Sequence, residues 1–238
     1  MKKEATMQKW VAMVVLMALG CCMSACATGL LGGDNWKEEA LQYDGSTLVV
    51  ERSQSYGGRA EIGQGAPIRE YHLSFTLPGS RQTIEWESGY SEDVGRANLH
   101  PLALHVMNGT PYVITEPNLC LAYNKWGRPN PPYVIFKYDG QAWQRIPIEE
   151  LPTQFKDMNL VNETKGDAKR LVEAGQVTPM EITKLNRDLQ QPELKVILRT
   201  PLSKERINQM CMEMVPYNGS WVMPNDPIAR KYIDMQKR

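Results

Sequence analysis

The sequence contains few residues of the kinds that perform catalysis. Only three of its 238 residues are histidines, His72, His100 and His105. None forms a His-x-x-x-His zinc pair, and the chain has no Gly-x-Ser-x-Gly nucleophile elbow. A catalytic histidine also needs an orienting carboxylate and a nucleophile within reach. We therefore predict no catalytic residue, no metal ligand and no cofactor.

The sequence also lacks a cluster of charge of either sign. Basic and acidic residues number 27 each, and no run contains five like charges. Removal of residues 1–25 as a signal peptide discards three lysines and one glutamate, which leaves 24 basic and 26 acidic residues and a net charge near −2. Nucleic-acid binding requires a concentrated basic face. The composition therefore argues against a nucleic-acid partner.

The glycine-rich stretch 57–65 lacks the pattern of a phosphate-binding loop. A P-loop needs Gly-Lys-Ser/Thr at the start of a helix, and a dinucleotide fingerprint lies between a strand and a helix. Here Ala66-Pro67 follows the glycines and precedes a predicted strand. We predict a mobile loop.

The N-terminus has the organisation of an export signal. Three lysines within the first nine residues precede an uncharged stretch, 10–19, as in a secretory signal peptide. The next residues, Met23-Ser24-Ala25-Cys26, resemble the bacterial lipobox, in which a signal peptidase cuts before an acylated cysteine. The resemblance implies a signal peptide over 1–25 and lipidation of Cys26. Ala27, where an aspartate would retain a lipoprotein in the inner membrane, implies an outer-membrane anchor with the protein facing the periplasm.

Alternatives to an acylated Cys26 stay open. Cys21 is a second candidate for lipidation, although the residues before it fit the lipobox less well. A plain signal peptide could use Ala25 or Ala27 as its cleavage site. The uncharged stretch 10–33 is also long enough to span a bilayer, but its second half is rich in glycine and other small residues.

The cysteine count fits cleavage before Cys26. The chain has five cysteines, an odd number. Cleavage there discards Cys21 and Cys22, and acylation uses Cys26, so that Cys120 and Cys211 remain. An even pair in an oxidising periplasm is a candidate disulfide. Two unpaired buried cysteines are the alternative.

Dipeptides typical of tight turns recur along the chain, mostly within the first 150 residues. Asp44-Gly45, Asn108-Gly109, Asp139-Gly140 and Asn218-Gly219 are dipeptides typical of tight turns between antiparallel strands, and Gly79-Ser80 suits a related turn. Alternation of apolar and polar residues on both sides of a turn then fixes the register of the pairing. The predicted pairs are Phe75 with Ile84, Leu73 with Trp86, His72 with Glu87, Leu104 with Val113, His105 with Tyr112, and Phe136 with Trp143. The predicted strands are 47–53, 69–77, 82–88, 101–107, 111–115, 118–124, 132–138 and 141–146.

The periodicity becomes helical after residue 150. Thr178-Pro179-Met180-Glu181 combines an N-cap, a first-turn proline and the glutamate of a capping box. Further helices are predicted to begin at Ser203 and at Asp226-Pro227, with a short strand over 194–198. These elements predict a mainly β, α+β fold: an antiparallel sheet built from hairpins, either a sandwich or a partly open barrel, with C-terminal helices packed on it. The predicted segments are a linker over 26–38, a β domain over 39–150 and a C-terminal extension over 151–238 on the same core.

The connection 118–133 has the composition of an interaction surface. It combines aromatic residues, arginine, asparagine and prolines, and tyrosine, tryptophan and arginine dominate binding hot spots. We predict Tyr123, Trp126, Arg128 and Tyr133 as contact residues. The alternative is a proline-stiffened crossover whose Trp126 plugs the sheet edge or core.

The same connection carries a family resemblance. Together with Trp36-Lys37-Glu38-Glu39, Arg52-Ser53-Gln54 and Gly57-Gly58-Arg59, it resembles a family of uncharacterised exported proteobacterial proteins over most of 35–150. The resemblance implies a bacterial envelope protein and brings no activity, cofactor or catalytic residue.

The expected function is that of a non-catalytic binding or structural module. Its partners are the membrane, through the lipid anchor, and an envelope protein. One alternative is an accessory subunit of an envelope complex. The other is an envelope hydrolase that uses Glu85, Glu87 or His72 on the polar strand face, because paired carboxylates can perform glycosidic acid and base chemistry.

Overall fold

Antiparallel strands are the main regular elements of the computed structural model, which describes residues 33–60 and 62–236. The strands are β1 (Gly33–Leu41), β2 (Thr47–Tyr56), β3 (Ile68–Thr76), β4 (Thr83–Glu87), β5 (Tyr90–Ser91), β6 (Arg96–Ala97), β7 (Leu99–Met107), β8 (Thr110–Pro117), β9 (Val134–Tyr138), β10 (Trp143–Ile146), β11 (Gln176–Val177), β12 (Val215–Tyr217) and β13 (Ser220–Val222). The helices are α1 (Leu119–Lys125), α2 (Thr164–Ala174), α3 (Pro179–Asn186), α4 (Lys204–Met210) and α5 (Pro227–Gln236).

The larger strands form two sheets that pack face to face. One sheet has the order β11-β1-β2-β3-β4 and the other β10-β9-β8-β7. The core between them contains residues of both sheets, among them Leu73, Phe75, Trp86, Leu104 and Val113. Over the described residues the fold is therefore a sandwich with helices, without a closed barrel, and the predicted α+β class is confirmed.

The second sheet is buried on both faces. Its other face packs on the segment 151–158 through Leu151, Phe155 and Met158, and on Ile197. The residues after 150 thus cover a sheet, and the described residues from Gly33 onward form one compact unit.

Turn chemistry determines the hairpin registers. Asn108 and Gly109 both have positive φ, 51° and 74°, as a two-residue hairpin turn requires. The predicted pairs of this hairpin and of β3 with β4 are confirmed. The β3–β4 turn is centred as predicted but is built on Pro78-Gly79, since Ser80 N–H donates to Leu77 O at 3.0 Å and Gly79 has φ 77°, the features of a type II turn.

The register predicted for β9 and β10 is wrong. Trp143 lies opposite Tyr138, and Phe136 lies opposite Arg145. The Asp139 carboxylate accepts the N–H groups of Gln141 at 2.9 Å and Ala142 at 2.8 Å. In this Asx turn the loop between β9 and β10 has four residues instead of the predicted two, and the pairing of the two strands shifts accordingly.

Several other predicted elements differ from the structure. Residues 118–124 were predicted as a strand but form the helix α1 and the residue before it, because a short apolar run does not distinguish the two periods. The segment 194–198 contains one isolated bridge, from Val196 to Asp157, in place of a strand. The predicted linker 26–38 overlaps β1 from Gly33 onward. The helices α3, α4 and α5 begin where predicted.

A buried ion pair connects β1 and β2 to the segment that precedes α2. Arg52 donates to Glu38 at 2.8 Å, and both side chains are essentially inaccessible to solvent. Glu38 also accepts from the Trp36 indole at 2.7 Å and from Val161 N–H at 2.9 Å, and Arg52 donates to Val161 O at 2.8 Å. The motif residues Trp36, Glu38 and Arg52 therefore have structural roles inside the sandwich.

Candidate functional site: a basic groove

The predicted contact segment 118–133 serves as an internal docking platform. Cys120 in α1 is bonded to Cys211, the residue after α4, with their Cα atoms 5.2 Å apart. The predicted disulfide is therefore present, although Cys120 lies in a helix instead of a strand. The bond attaches the C-terminal segment to α1, which follows β8.

Polar side chains of this platform pair with the backbone of the C-terminal segment. Asn124 donates to Met212 O at 3.0 Å and accepts from Met214 N–H at 2.8 Å. Arg128 donates to Cys211 O at 3.0 Å and to the Asn124 side chain at 3.1 Å. These bonds satisfy backbone groups that have no partner in regular secondary structure.

The aromatic residues of the segment are mostly covered. Tyr123 and Tyr133 are buried, and the Tyr133 hydroxyl accepts from Leu198 N–H at 3.2 Å. Trp126 packs on the sandwich core, 6.2 Å from the Phe136 ring. Tyr123, Trp126 and Arg128 lie on or directly after α1, while Tyr133 belongs to the cluster on the far face of the second sheet. Their role in binding a partner stays a prediction.

A larger concave feature than the surface of this segment lies beside the turn between β1 and β2. It is a groove of about 940 Å³, at the upper end of the range typical of small-molecule sites. Five stretches of the chain line it: 41–45, residue 105 in β7, 154–159, 179–187 in and after α3, and residue 195. We call this feature the basic groove.

The floor of the basic groove is held rigid by hydrogen bonds. Asn159 donates to Leu104 O at 2.8 Å and to Leu41 O at 2.9 Å, and accepts from Leu104 N–H at 2.9 Å. Gln42 accepts from Val106 N–H at 2.9 Å and donates to Leu104 O at 3.2 Å. The two amides cross-link the β1–β2 turn to β7, so the floor is pre-formed before any ligand binds.

Near pH 7, burial favours the uncharged form of His105 at the floor of the groove. Its ring stacks on Phe155 at 4.5 Å, and Nε2 donates to Asp157 O at 3.1 Å. Burial lowers the pKa of His105 by disfavouring the charged ring, while the Asp157 carbonyl opposes this effect. The histidine therefore supports the groove without adding charge.

The walls of the groove combine apolar surface with positive charge. Leu41, Tyr43 and Met180 line the groove and are each more than two-fifths exposed. The charged lining residues are Lys156, Arg187 and Lys195 against Asp157, a net charge of +2 with neutral His105. Among the described residues none of the three cations has an ion-pair partner. The groove can therefore hold a ligand with a negatively charged group and an apolar part.

The carboxylates of the hydrolase alternative lie on the outer face of the first sheet. Glu85 and Glu87 are exposed, and His72 lies opposite Glu87 with its Nε2 atom 3.8 Å from Glu85. A glycosidase needs one carboxyl in a desolvated setting. His72 and Glu85 line a concavity of about 440 Å³, but both glutamates are exposed to solvent, so neither has the desolvated setting that the hydrolase alternative requires.

A histidine with an orienting carboxylate occurs at a smaller cavity of about 300 Å³. His100 Nδ1 lies 3.3 Å from Glu116, and the ring stacks on Tyr71 at 5.1 Å. Its Nε2 atom is buried and has no hydrogen-bond partner in the structure. Because a general base must reach the proton it takes, a covered Nε2 does not suit proton transfer with a ligand.

The described residues contain no group of three or more His, Cys, Asp or Glu side chains that could hold a metal ion. No helix within ranges 33–60 and 62–236 is long and apolar enough to cross a membrane. The predicted signal peptide and the lipidation candidates Cys26 and Cys21 lie outside the described residues.

Sequence reasoning missed the basic groove because its lining comes from stretches far apart in the chain. The nearest local signal is the capping box of α3, which fixes the start of one wall. No protein-family model matches this chain, and comparisons with curated proteins and with solved structures find no significant similarity. The functional argument therefore depends on the geometry of the site.

Proposed function

We propose that this protein is a lipid-anchored envelope protein that binds an anionic, partly apolar ligand in the basic groove without catalysing a reaction. The resemblance of the N-terminus to a lipobox supports acylation at Cys26. It also supports an outer-membrane location in which the protein faces the periplasm. The observation that supports the binding role is the set of three cations, without an ion-pair partner in the part of the chain that the structure describes, beside exposed apolar side chains on a rigid floor.

Electrostatics and burial both favour this ligand class. Each cation at a solvent-exposed site contributes about 0.5 kcal/mol to holding an anion, so three contribute about 1.5 kcal/mol, or roughly tenfold in affinity. The apolar walls add the burial of a hydrocarbon or aromatic body, at about 25 cal/mol per Å². A ligand with a negatively charged group and an apolar body can therefore contact both the cations and the apolar walls of the groove.

Titration of residues 33–238 with octanoate tests the proposal, because these residues form one compact unit. We expect chemical-shift changes at Met158, Met180 and Ile182. Octyltrimethylammonium, which has the same chain and the opposite charge, is expected to bind at least about tenfold more weakly.

Matched variants localise the effect. The triple variant K156Q/R187Q/K195Q is expected to bind octanoate about tenfold more weakly than the wild type. R81Q in the β3–β4 turn and K204Q at the start of α4 remove exposed cations outside the groove and are expected to leave binding unchanged. Equal affinity for the two probes, or shifts confined to other surfaces, would refute the proposal.

A further inference from the structure

The last helix, α5, presents its apolar side to solvent. Ile228, Tyr232 and Met235 recur at helical spacing, which places them on one side of the helix. They are 81, 58 and 56% exposed, and no residue of α5 is buried. A surface helix normally turns its apolar residues toward the protein core, but in α5 the only partly buried apolar residues are Ala229 and Ile233, while the three side chains of the stripe face solvent.

Polar contacts hold the opposite side of α5 on the β12–β13 hairpin. Asp234 accepts from the Tyr217 hydroxyl at 2.9 Å and from Asn218 Nδ2 at 2.9 Å. Arg230 donates to Pro224 O at 2.7 Å, and its guanidinium lies 5.2 Å from the Tyr217 ring centroid. These contacts orient the helix, so the apolar stripe faces outward because of how α5 is attached.

The sequence around this stripe carries positive charge. Between residues 227 and 238 the sequence has four basic residues, Arg230, Lys231, Lys237 and Arg238, and one acid. The net charge of these twelve side chains is 4 − 1 = +3. Arg230 and Asp234 both make contacts on the hairpin side of α5, and the remaining charged residues of this stretch are the basic Lys231, Lys237 and Arg238.

We infer that α5 lies on an anionic lipid surface, with Ile228, Tyr232 and Met235 at the level of the headgroups. A basic amphipathic helix with a narrow apolar side binds such surfaces through combined burial and charge attraction. A second copy of this chain fits less well, since it would bring one C-terminal stretch of net charge +3 (residues 227–238) against another. The inference is independent of the basic groove and does not require acylation of Cys26.

Hydrogen–deuterium exchange of the full chain with vesicles tests the inference. We expect the amides of α5 to exchange at least about tenfold more slowly with vesicles that contain phosphatidylglycerol than with phosphatidylcholine alone. Exchange at α3, which lies at the groove, is the internal reference and is expected to stay unchanged.

Three variants make the result specific. I228S/Y232S and K231E are each expected to abolish the slowing in phosphatidylglycerol, while V172S, at an exposed apolar position of α2, is expected to preserve it. Because the described polar contacts that hold α5 on the hairpin belong to Asp234 and Arg230, the helix itself is expected to persist without lipid in these variants. Equal α5 exchange in both lipids, or slowing that depends on protein concentration in the absence of lipid, would overturn the inference.

Discussion

Glu38 and Arg52 are an ion pair that folding removes from water. Loss of one partner leaves the other charge buried without compensation, which costs about 3–5 kcal/mol. E38Q is therefore expected to lower the free energy of unfolding by this amount in urea titration. E51Q is the matched control on the same strand pair, because Glu51 pairs with Lys37 at 2.9 Å on the exposed face, where such a pair contributes about 0–1 kcal/mol. Similar losses in both variants would contradict this role for Glu38.

His105 is the residue for which a pH dependence is expected. Because burial lowers its pKa in the folded state, the unfolded chain takes up a proton below the ordinary value of 6.5 that the folded chain does not. The free energy of unfolding therefore decreases as pH falls through and below this value, and the contribution vanishes above it. H105Q is expected to be less stable at pH 7 but to lose less stability between pH 7 and 5 than the wild type. Parallel stability profiles for the two proteins would exclude His105 as the source.

At the scale of elements, the disulfide and α1 together hold the C-terminal segment. Cys120 and Cys211 are 91 positions apart, and a loop of that size corresponds to about 4–5 kcal/mol on the chain-entropy model. C120S/C211S is expected to lose about this much stability and to show faster hydrogen exchange over 202–214. The amides of β2 and β3 are expected to keep their protection under native conditions. Unchanged exchange over 202–214 would show that the bond is dispensable for docking.

Trp126 distinguishes a packing role for the 118–133 segment from a binding role. Its ring packs on the core of the sandwich, and truncation of a half-buried tryptophan costs about 2–4 kcal/mol. W126A is therefore expected to lower the urea midpoint substantially. A folded W126A with wild-type stability would instead favour the predicted contact surface.

The elements that sequence patterns predicted are those whose determinants are local. Asn108-Gly109 and the capping box of α3 specify their structures within a few residues. β1 was missed because its inward positions include Glu38, which becomes a core residue only through Arg52, 14 positions away. The helix α2 was missed because only three of its eleven residues are buried, too few for a clear apolar period. The basic groove required the fold itself, since its lining comes from five separate stretches.

At the scale of the molecule, the basic groove and the proposed lipidation residue Cys26 belong to different parts of the chain. β1 begins at Gly33 and ends at Leu41, the first residue that lines the basic groove. A nine-residue strand spans about 30 Å. The groove thus lies at the end of β1 that is farther from Cys26 in the sequence.

We propose that the protein is anchored to the envelope by a lipid and that its fold contains one disulfide bond. The intact mass of the protein extracted from membranes tests it most directly. We expect a chain that begins at Cys26, carries a diacylglyceryl or triacyl modification, and lacks the two hydrogens lost in the Cys120–Cys211 bond. Acylation at Cys21 would instead retain five more residues. A water-soluble product without lipid, or the unmodified chain of 27.0 kDa, would contradict the claim.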